Sequence, residues 1–310
     1  MATIPAAQQQ PGVRPVAVGD GETVAVPTDD TPRRPSRRGT RLAAIAALSV
    51  FAVLFTYPFV WLVSASLKPR AQVFDNKLVP STFAPANYVN VWKAAPVFTW
   101  LVNTVAVGIA SALAVTVSSA LIAFGFAYFR FPGRGVLFGT VLGSMMLPAV
   151  VTIVPTFLIW NSLGLVGSQV PLWAGNLFGS AFYIFLLRQF FLGLPREIFE
   201  AARVDGLGYF GLFWRIAVPL SKPALIIAFV FELRASWTDL VKPLVYLQDP
   251  ELFTLPRGLK AVLDQFGQGG EGQWEVILAA SVIATIPMLV VFLIAQRYFL
   301  AGMTAGSVKS

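Results

Sequence analysis

The sequence predicts an all-α integral membrane protein with six transmembrane helices and both termini cytoplasmic. Three observations carry that prediction. Hydrophobic residues make up 56% of the 310 positions and charged residues only 12%, against about 25% charged in a soluble domain. Apolar stretches long enough to cross a bilayer recur along the chain. Basic residues gather on alternate connections between them. The net charge of +8 is therefore distributed as membrane topology requires, not as a nucleic-acid-binding face, and no nucleic-acid partner is expected. The absence of Cys and His excludes disulfides, Cys/His zinc sites and thiol or imidazole nucleophile–base pairs.

Residues 1–41 are rich in Pro, Gln, Thr, Asp and Gly without apolar periodicity and read as a disordered basic tail. The membrane domain is expected over residues 42–310. Its first span, Leu42 to Leu67, is too long for a signal-peptide core and covers about 30 Å of hydrocarbon at about 1.5 Å per residue. A second span fits within Trp100–Phe129. The charge-free stretch between Arg134 and Arg188 exceeds one crossing. Turn chemistry in "NSLGLVGSQVP" divides it into spans at Val136–Trp160 and Pro171–Leu192, with Pro148 and Pro155 able to kink the former. The fifth span runs from Pro223 to Leu247 and the sixth from Val276 to Leu300.

Arg33, Arg34, Arg37, Arg38 and Arg41 precede the first span. Counting crossings puts Arg130, Arg134, Arg188, Arg196, Arg203, Arg215, Lys222, Arg297 and Lys309 on the same side, which the positive-inside rule makes cytoplasmic. GxxxG pairs at Gly139/Gly143 and Gly175/Gly179 mark candidate close helix contacts.

The connection over about 195–222, "LPREIFEAARVDGLGYFGLFWRIAVPLSKP", lies on that side between spans four and five. Apolar Ile198, Phe199, Ala202 and Val204 alternate with charged residues as in a short surface helix. Gly206 and Gly208 break it, and a more apolar helix resumes toward Pro219. Such a segment can simply rest in the headgroup layer. Gly206, Gly208 and Gly211 also match GxGxxG, but a dinucleotide site needs a preceding strand in a βαβ unit, and a charged helix stands there instead.

This loop resembles the cytoplasmic signature of ATP-binding-cassette importer permeases: Glu-Ala-Ala, three residues, Gly, nine residues, Ile-x-Leu-Pro. The chain has Glu200, Ala201, Ala202, Gly206, Ile216 and Pro219 at that spacing, with Val218 in place of Leu. "SLKPRAQVF", "ANYVNVW", "SWTDLVKPLVYL" and "LAGMTAGSVKS" are similar to the sugar-importer subgroup, in particular to its smaller, maltose-permease-like subunit. The resemblance implies a multi-pass protein of the bacterial cytoplasmic membrane and a coupling helix docking on a separate ATPase. Ala201 and Ala202 would allow close backbone approach, Glu200 would meet a basic partner, and Gly206 would allow the tight turn. It also implies a second, related permease subunit, two ATPase subunits and an extracytoplasmic sugar-binding protein. ATP and Mg would belong to the ATPase, with no cofactor on this chain. The C-terminal "TAGSVKS" would reach the ATPase dimer interface. Thr238 departs from the subgroup's usual Asn before Asp239.

The fifth span carries Glu232, Arg234, Asp239 and Lys242, and ionisable residues in a span are costly. Glu232, Ser236 and Asp239 fall at i, i+4 and i+7 on one expected helical face. With Trp237 as a stacking surface they form a candidate substrate pathway; helix–helix ion pairing is the other reading. Arg234 points away from Glu232, toward another helix or the partner permease. No GxxxxGK followed by Ser or Thr occurs, so transport would be energised from another chain. An intramembrane enzyme lacks His, Cys and any metal-ligand cluster. A scaffold or sensor that docks an ATPase would keep the loop without needing a polar stripe.

Overall fold

The structure is a computed structural model that describes residues 13–18, 22–27, 37–267 and 273–305. It divides into two units, Met1–Val60 and Trp61–Ser310. In the first, Val13–Val18 (β1) pairs antiparallel with Glu22–Pro27 (β2), with Val16 opposite Val24. Alternating Val and Ala on both sides of a Gly-Asp-Gly sequence favour such a hairpin. These strands depart from the expected structureless tail and from an entirely helical chain. The other described residues of the first unit, 37–60, belong to α1, Arg37–Ser66, whose apolar side chains from Leu42 to Val60 are largely exposed.

The second unit is helical among its described residues. It contains α2 (Ala86–Ala94), α3 (Val97–Tyr128), α4 (Arg134–Ser144), α5 (Ala149–Ser162), α6 (Val170–Trp173) and α7 (Ala181–Leu192). Then come α8 (Arg196–Val204), α9 (Tyr209–Leu220), α10 (Lys222–Trp237), α11 (Val241–Tyr246), α12 (Leu255–Gly267) and α13 (Trp274–Ala305). Among the described residues four stretches are long and apolar enough to cross a membrane: Arg41–Ser66, Val97–Tyr128, Val170–Leu192 and Trp274–Arg297. The expected third span is bent, with α4 and α5 meeting at 100°. The expected fifth, Pro223–Leu247, stops being one helix after Trp237, and α9, which precedes it, meets α10 at 81°, so six candidate crossings result among the described residues if each bent pair is one. Pro148, extended at the start of α5, breaks the third span, whereas Pro155 sits within α5. Residues 306–310, most of the "TAGSVKS" tail, lie outside the described residues.

The central element is α3, which packs against α7, α10, α12 and the 3₁₀ turn Ala174–Phe178. Its buried residues include Gly108, Ser111, Ala112, Ser119, Ala120 and Ala123, a stripe of small side chains that lets helices approach closely. A Cβ at Gly108 would stand 2.9 Å from Leu233 Cδ1 of α10. Of the glycines in the GxxxG pairs, Gly179 does approach α3: at φ +80°, a Cβ there would stand 3.0 Å from Ile122 Cδ1 and 3.5 Å from Ser119 Oγ, whereas a Cβ at Gly139, Gly143 or Gly175 would meet nothing within 4 Å.

Both ends of α3 hold a loop assembly. At its N-terminal end Trp100 Nε1 donates to Pro250 O at 2.8 Å, and Thr104 Oγ1 accepts from Leu255 N–H at 2.7 Å. The segment after α1 is also ordered. Lys68 is fully buried, ion-paired with Asp75, and donates to Lys77 O at 2.6 Å; Asn87 Nδ2 bridges Ser66 O and Lys68 O at 2.9 Å each. Lys68 Nζ holds the Asp75 carboxyl below its usual value. A carboxyl with a lowered folded pKa adds stability above its unfolded value, about 4, that is lost as pH falls through the folded value. Amide exchange across residues 68–78, corrected for intrinsic rate, is expected to quicken as pH drops below about 4. In Asp75→Asn that pH response should vanish; the same response in both proteins would contradict the assignment.

Candidate functional site

The loop between α7 and α9 is a helical hairpin. Its first arm, α8, ends in Asp205 and Gly206, where Gly206 N–H donates to Arg203 O and Leu207 N–H to Ala202 O, both at 3.0 Å, with Gly206 at φ +88°. These are the paired bonds of a Schellman cap, which needs a left-handed residue that glycine supplies without strain. Leu207 then packs on the cluster containing Ala202, the apolar contact that accompanies such caps. The second arm, α9, contains a π turn over Leu212–Ala217. Pro219 lacks an N–H and crowds the carbonyl four residues earlier, and a wider turn relieves that crowding.

Aromatic packing fixes the hairpin to the bundle. Phe124 of α3 lies 5.5 Å from Phe213, 6.0 Å from Phe191 and 6.2 Å from Phe199 between ring centroids. Tyr209 stands 5.0 Å from Phe129, and Arg203 lies over the Tyr209 ring at 5.0 Å. The α8 face carrying Phe199 and Ala202 is consequently buried. Glu200 and Ala201 are exposed, as are Glu197 and Val204. Ala202 therefore packs inside its own chain and does not offer the close approach expected of it, whereas Ala201 remains open. Ile216 is partly buried against the cluster and Pro219 is exposed.

The expected polar stripe of the fifth span is broken. α10 ends at Trp237, and Pro243 opposes continuation because its ring would crowd the carbonyl of residue 239. Asp239 lies beyond the helix and caps α11, accepting from Val241 N–H at 3.0 Å and Lys242 N–H at 3.2 Å, with Lys242 Nζ 3.7 Å from its other oxygen. Glu232 and Ser236 stay one turn apart on α10. Glu232 Oε1 accepts from Asn176 Nδ2 at 2.6 Å, beside the Tyr183 hydroxyl. Trp237 is buried and donates from Nε1 to Ala284 O at 3.2 Å, so it braces α13 and presents no stacking face. Arg234 is exposed.

Asp239 instead lines a cavity of about 490 Å³ between α5, the α6 turn and α11. Thr152, Thr156, Trp160, Asn176 and Tyr246 share it, and Tyr246 Oη donates to Thr156 Oγ1 at 3.3 Å. Glu232, Ser236 and Trp237 do not line it; Asn176 connects Glu232 to its wall. Asn176, an amide in a charge-free stretch, was the available signal for this site, since amides in a span are costly unless partnered. Among the described residues no group of acidic side chains is arranged to hold a metal ion.

Residues 116–305 match the family described as "Binding-protein-dependent transport system inner membrane component". The chain belongs to this family. It is a multi-pass permease component of the bacterial plasma membrane. The permease is 31% identical over 274 residues, 87% of its length and 96% of the relative's, to the arabinooligosaccharides transport system permease protein AraQ of Bacillus subtilis (strain 168). It is 33% identical over 277 residues, 86% and 97% of the two chains, to the sn-glycerol-3-phosphate transport system permease protein UgpE of Yersinia pestis bv. Antiqua (strain Antiqua). Its fold is similar to that of a bacterial ABC transporter involved in the import of the acidic polysaccharide alginate, with TM-score 0.75, 24% identity, and 86% and 98% of the two chains covered.

Gly206 gives a direct test of the hairpin geometry. A Cβ there meets nothing within 4 Å, so the only cost inside the chain is backbone strain. Gly206→Ala is expected to destabilise by about 1–2 kcal/mol and Gly206→Asn by clearly less, because Asn tolerates the left-handed region. Thermal midpoints in detergent read the order; equal loss in both would contradict the cap.

Proposed function

We propose that this permease forms one half of a carbohydrate pathway in an ATP-driven importer and receives its motion from separate ATPase subunits through the hairpin Arg196–Leu220. The observation that carries this reading is the division of α8 into two faces. Phe199 and Ala202 are wedged into the aromatic cluster, while Val204, an apolar side chain on a charged helix, is 89% exposed. Glu197, Ala201 and Val204 form the contact face, and the buried face passes its displacement to α3 and α7. Glu200 meets a basic group of the ATPase. Both termini and this hairpin are cytoplasmic, as the distribution of Arg and Lys supports. ATP and Mg act on the ATPase, because the chain has no phosphate-binding Gly-rich loop with its lysine.

The cavity beside α11 supports a carbohydrate cargo. Thr152, Thr156, Asn176 and Tyr246 supply neutral hydrogen-bonding groups, and Trp160 offers an aromatic face. Oligosaccharide transport in the AraQ relative agrees with that chemistry. A scaffold that merely docks an ATPase has no use for such a cavity. The remaining partners are a second, related permease subunit that completes the pathway, a second ATPase subunit and an extracytoplasmic sugar-binding protein.

Co-expression with the neighbouring ATPase tests the coupling face. Val204→Asp should reduce ATPase co-purification and uptake by about tenfold, equivalent to about 1.4 kcal/mol, without lowering the thermal midpoint. Unchanged co-purification and uptake would remove the hairpin as the coupling element. For the pathway, Trp160→Ala and Asn176→Leu are expected to depress uptake of labelled oligosaccharide while ATPase co-purification stays constant. Uptake unaltered in both variants would exclude this cavity from the route.

A further inference from the structure

Behind the hairpin lies a second cavity, of about 320 Å³, within the range of small-ligand pockets, roughly 300–1,000 Å³. Its walls are the rings of Phe124, Tyr128, Phe129 and Phe191, and its rim carries Arg130, Arg196 and Arg203 against the single carboxylate of Glu200. Arg196, Glu200 and Arg203 lie at i, i+4 and i+7 of α8, so they share one face. None of the three arginines forms an ion pair among the described residues. Arg203 is engaged only by its face on Tyr209, which leaves its N–H edge available.

Position identifies the occupant. The cavity opens where two apolar membrane-crossing stretches end together, Val97–Tyr128 and Val170–Leu192, which marks the boundary between hydrocarbon and headgroups. We propose that this cavity binds the headgroup of an anionic phospholipid, with its phosphate against Arg130, Arg196 and Arg203 and the start of its acyl chains against the aromatic wall. The chemistry needed is an anion carrying an apolar tail. A free phosphate would satisfy the arginines but leave the rings uncovered. A bound lipid would fill the space between α8 and the bundle and stiffen the attachment of the hairpin. This inference is independent of the carbohydrate reading, because it concerns the opposite end of α3 from the cavity at Trp160.

Native mass spectrometry of the detergent-purified permease, titrated separately with phosphatidylglycerol, phosphatidylcholine and inorganic phosphate, tests it. Phosphatidylglycerol is expected to bind as one tight equivalent, phosphatidylcholine more weakly, and phosphate not to displace the lipid. Arg130→Gln, Arg196→Gln and Arg203→Gln should each weaken phosphatidylglycerol binding by about fivefold, with Arg70→Gln unaffected. All three side chains are exposed, and thermal midpoints check that the variants fold. Equal binding of the two lipids by the unaltered protein overturns the proposal, as does displacement by phosphate, which would make the cavity a simple anion site. Retained lipid binding with loss of ATPase co-purification in the arginine variants also overturns it and assigns the cavity to the ATPase. The unaltered protein's lipid preference stands apart from the Val204→Asp result, so either reading can fail alone.

Discussion

The packing of Phe124 against Phe191, Phe199 and Phe213 is the constraint on which the hairpin end of the bundle depends. Each ring pair adds about 0.5–1.5 kcal/mol beyond the burial of its area, and the pairs come from four different elements. Without them α8 would be a short charged helix lying loosely on a surface, since nine residues are too few for a stable isolated helix. With them its buried face is part of the bundle core, and a force on its open face is delivered to α3 and α7.

The same helix reaches the other end of the molecule. α3 has 32 residues and therefore extends about 48 Å. Its first turn holds Trp100 under the α12 assembly, where a Cβ on Gly258 would overlap the indole at 2.1 Å. Between these ends the small residues of α3 bring α10 close, and α10 carries Glu232 to Asn176 at the wall of the cavity beside α11. A displacement entering at the hairpin thus has a continuous packed route to residues beside the cavity.

Much of this was legible in the sequence. Hydropathy and basic-residue placement located the membrane-crossing stretches, and turn glycines located the hairpin, because both signals are local. Gly206 was read correctly as a turn residue, and its positive φ supplies the reason. What failed depended on where helices end and which face turns inward. The periodicity of Glu232, Ser236 and Asp239 assumed one uninterrupted helix, whereas Pro243 and the Asp239 cap end it early. Ala202 looked like a surface contact until the burial of Phe199 fixed the rotation of α8. Of the GxxxG glycines Gly179 alone comes close to another helix of this chain, while the stripe on α3 mixes Gly, Ala and Ser and escapes so narrow a pattern. Trp160 and Tyr246 were invisible as cavity residues because aromatic side chains are unremarkable in apolar segments.

The central claim is that hairpin and α3 move as one body. Spin labels at Ala201, on the open face of α8, and at Val117, on an exposed position of α3, measure it by pulsed electron resonance in the permease co-assembled with the proposed ATPase partner. The account predicts the same intrachain distance in nucleotide-free and ATP-trapped states. A change approaching one helical turn, about 5.4 Å, would contradict it, because the aromatic cluster would then be a hinge and not a rigid joint.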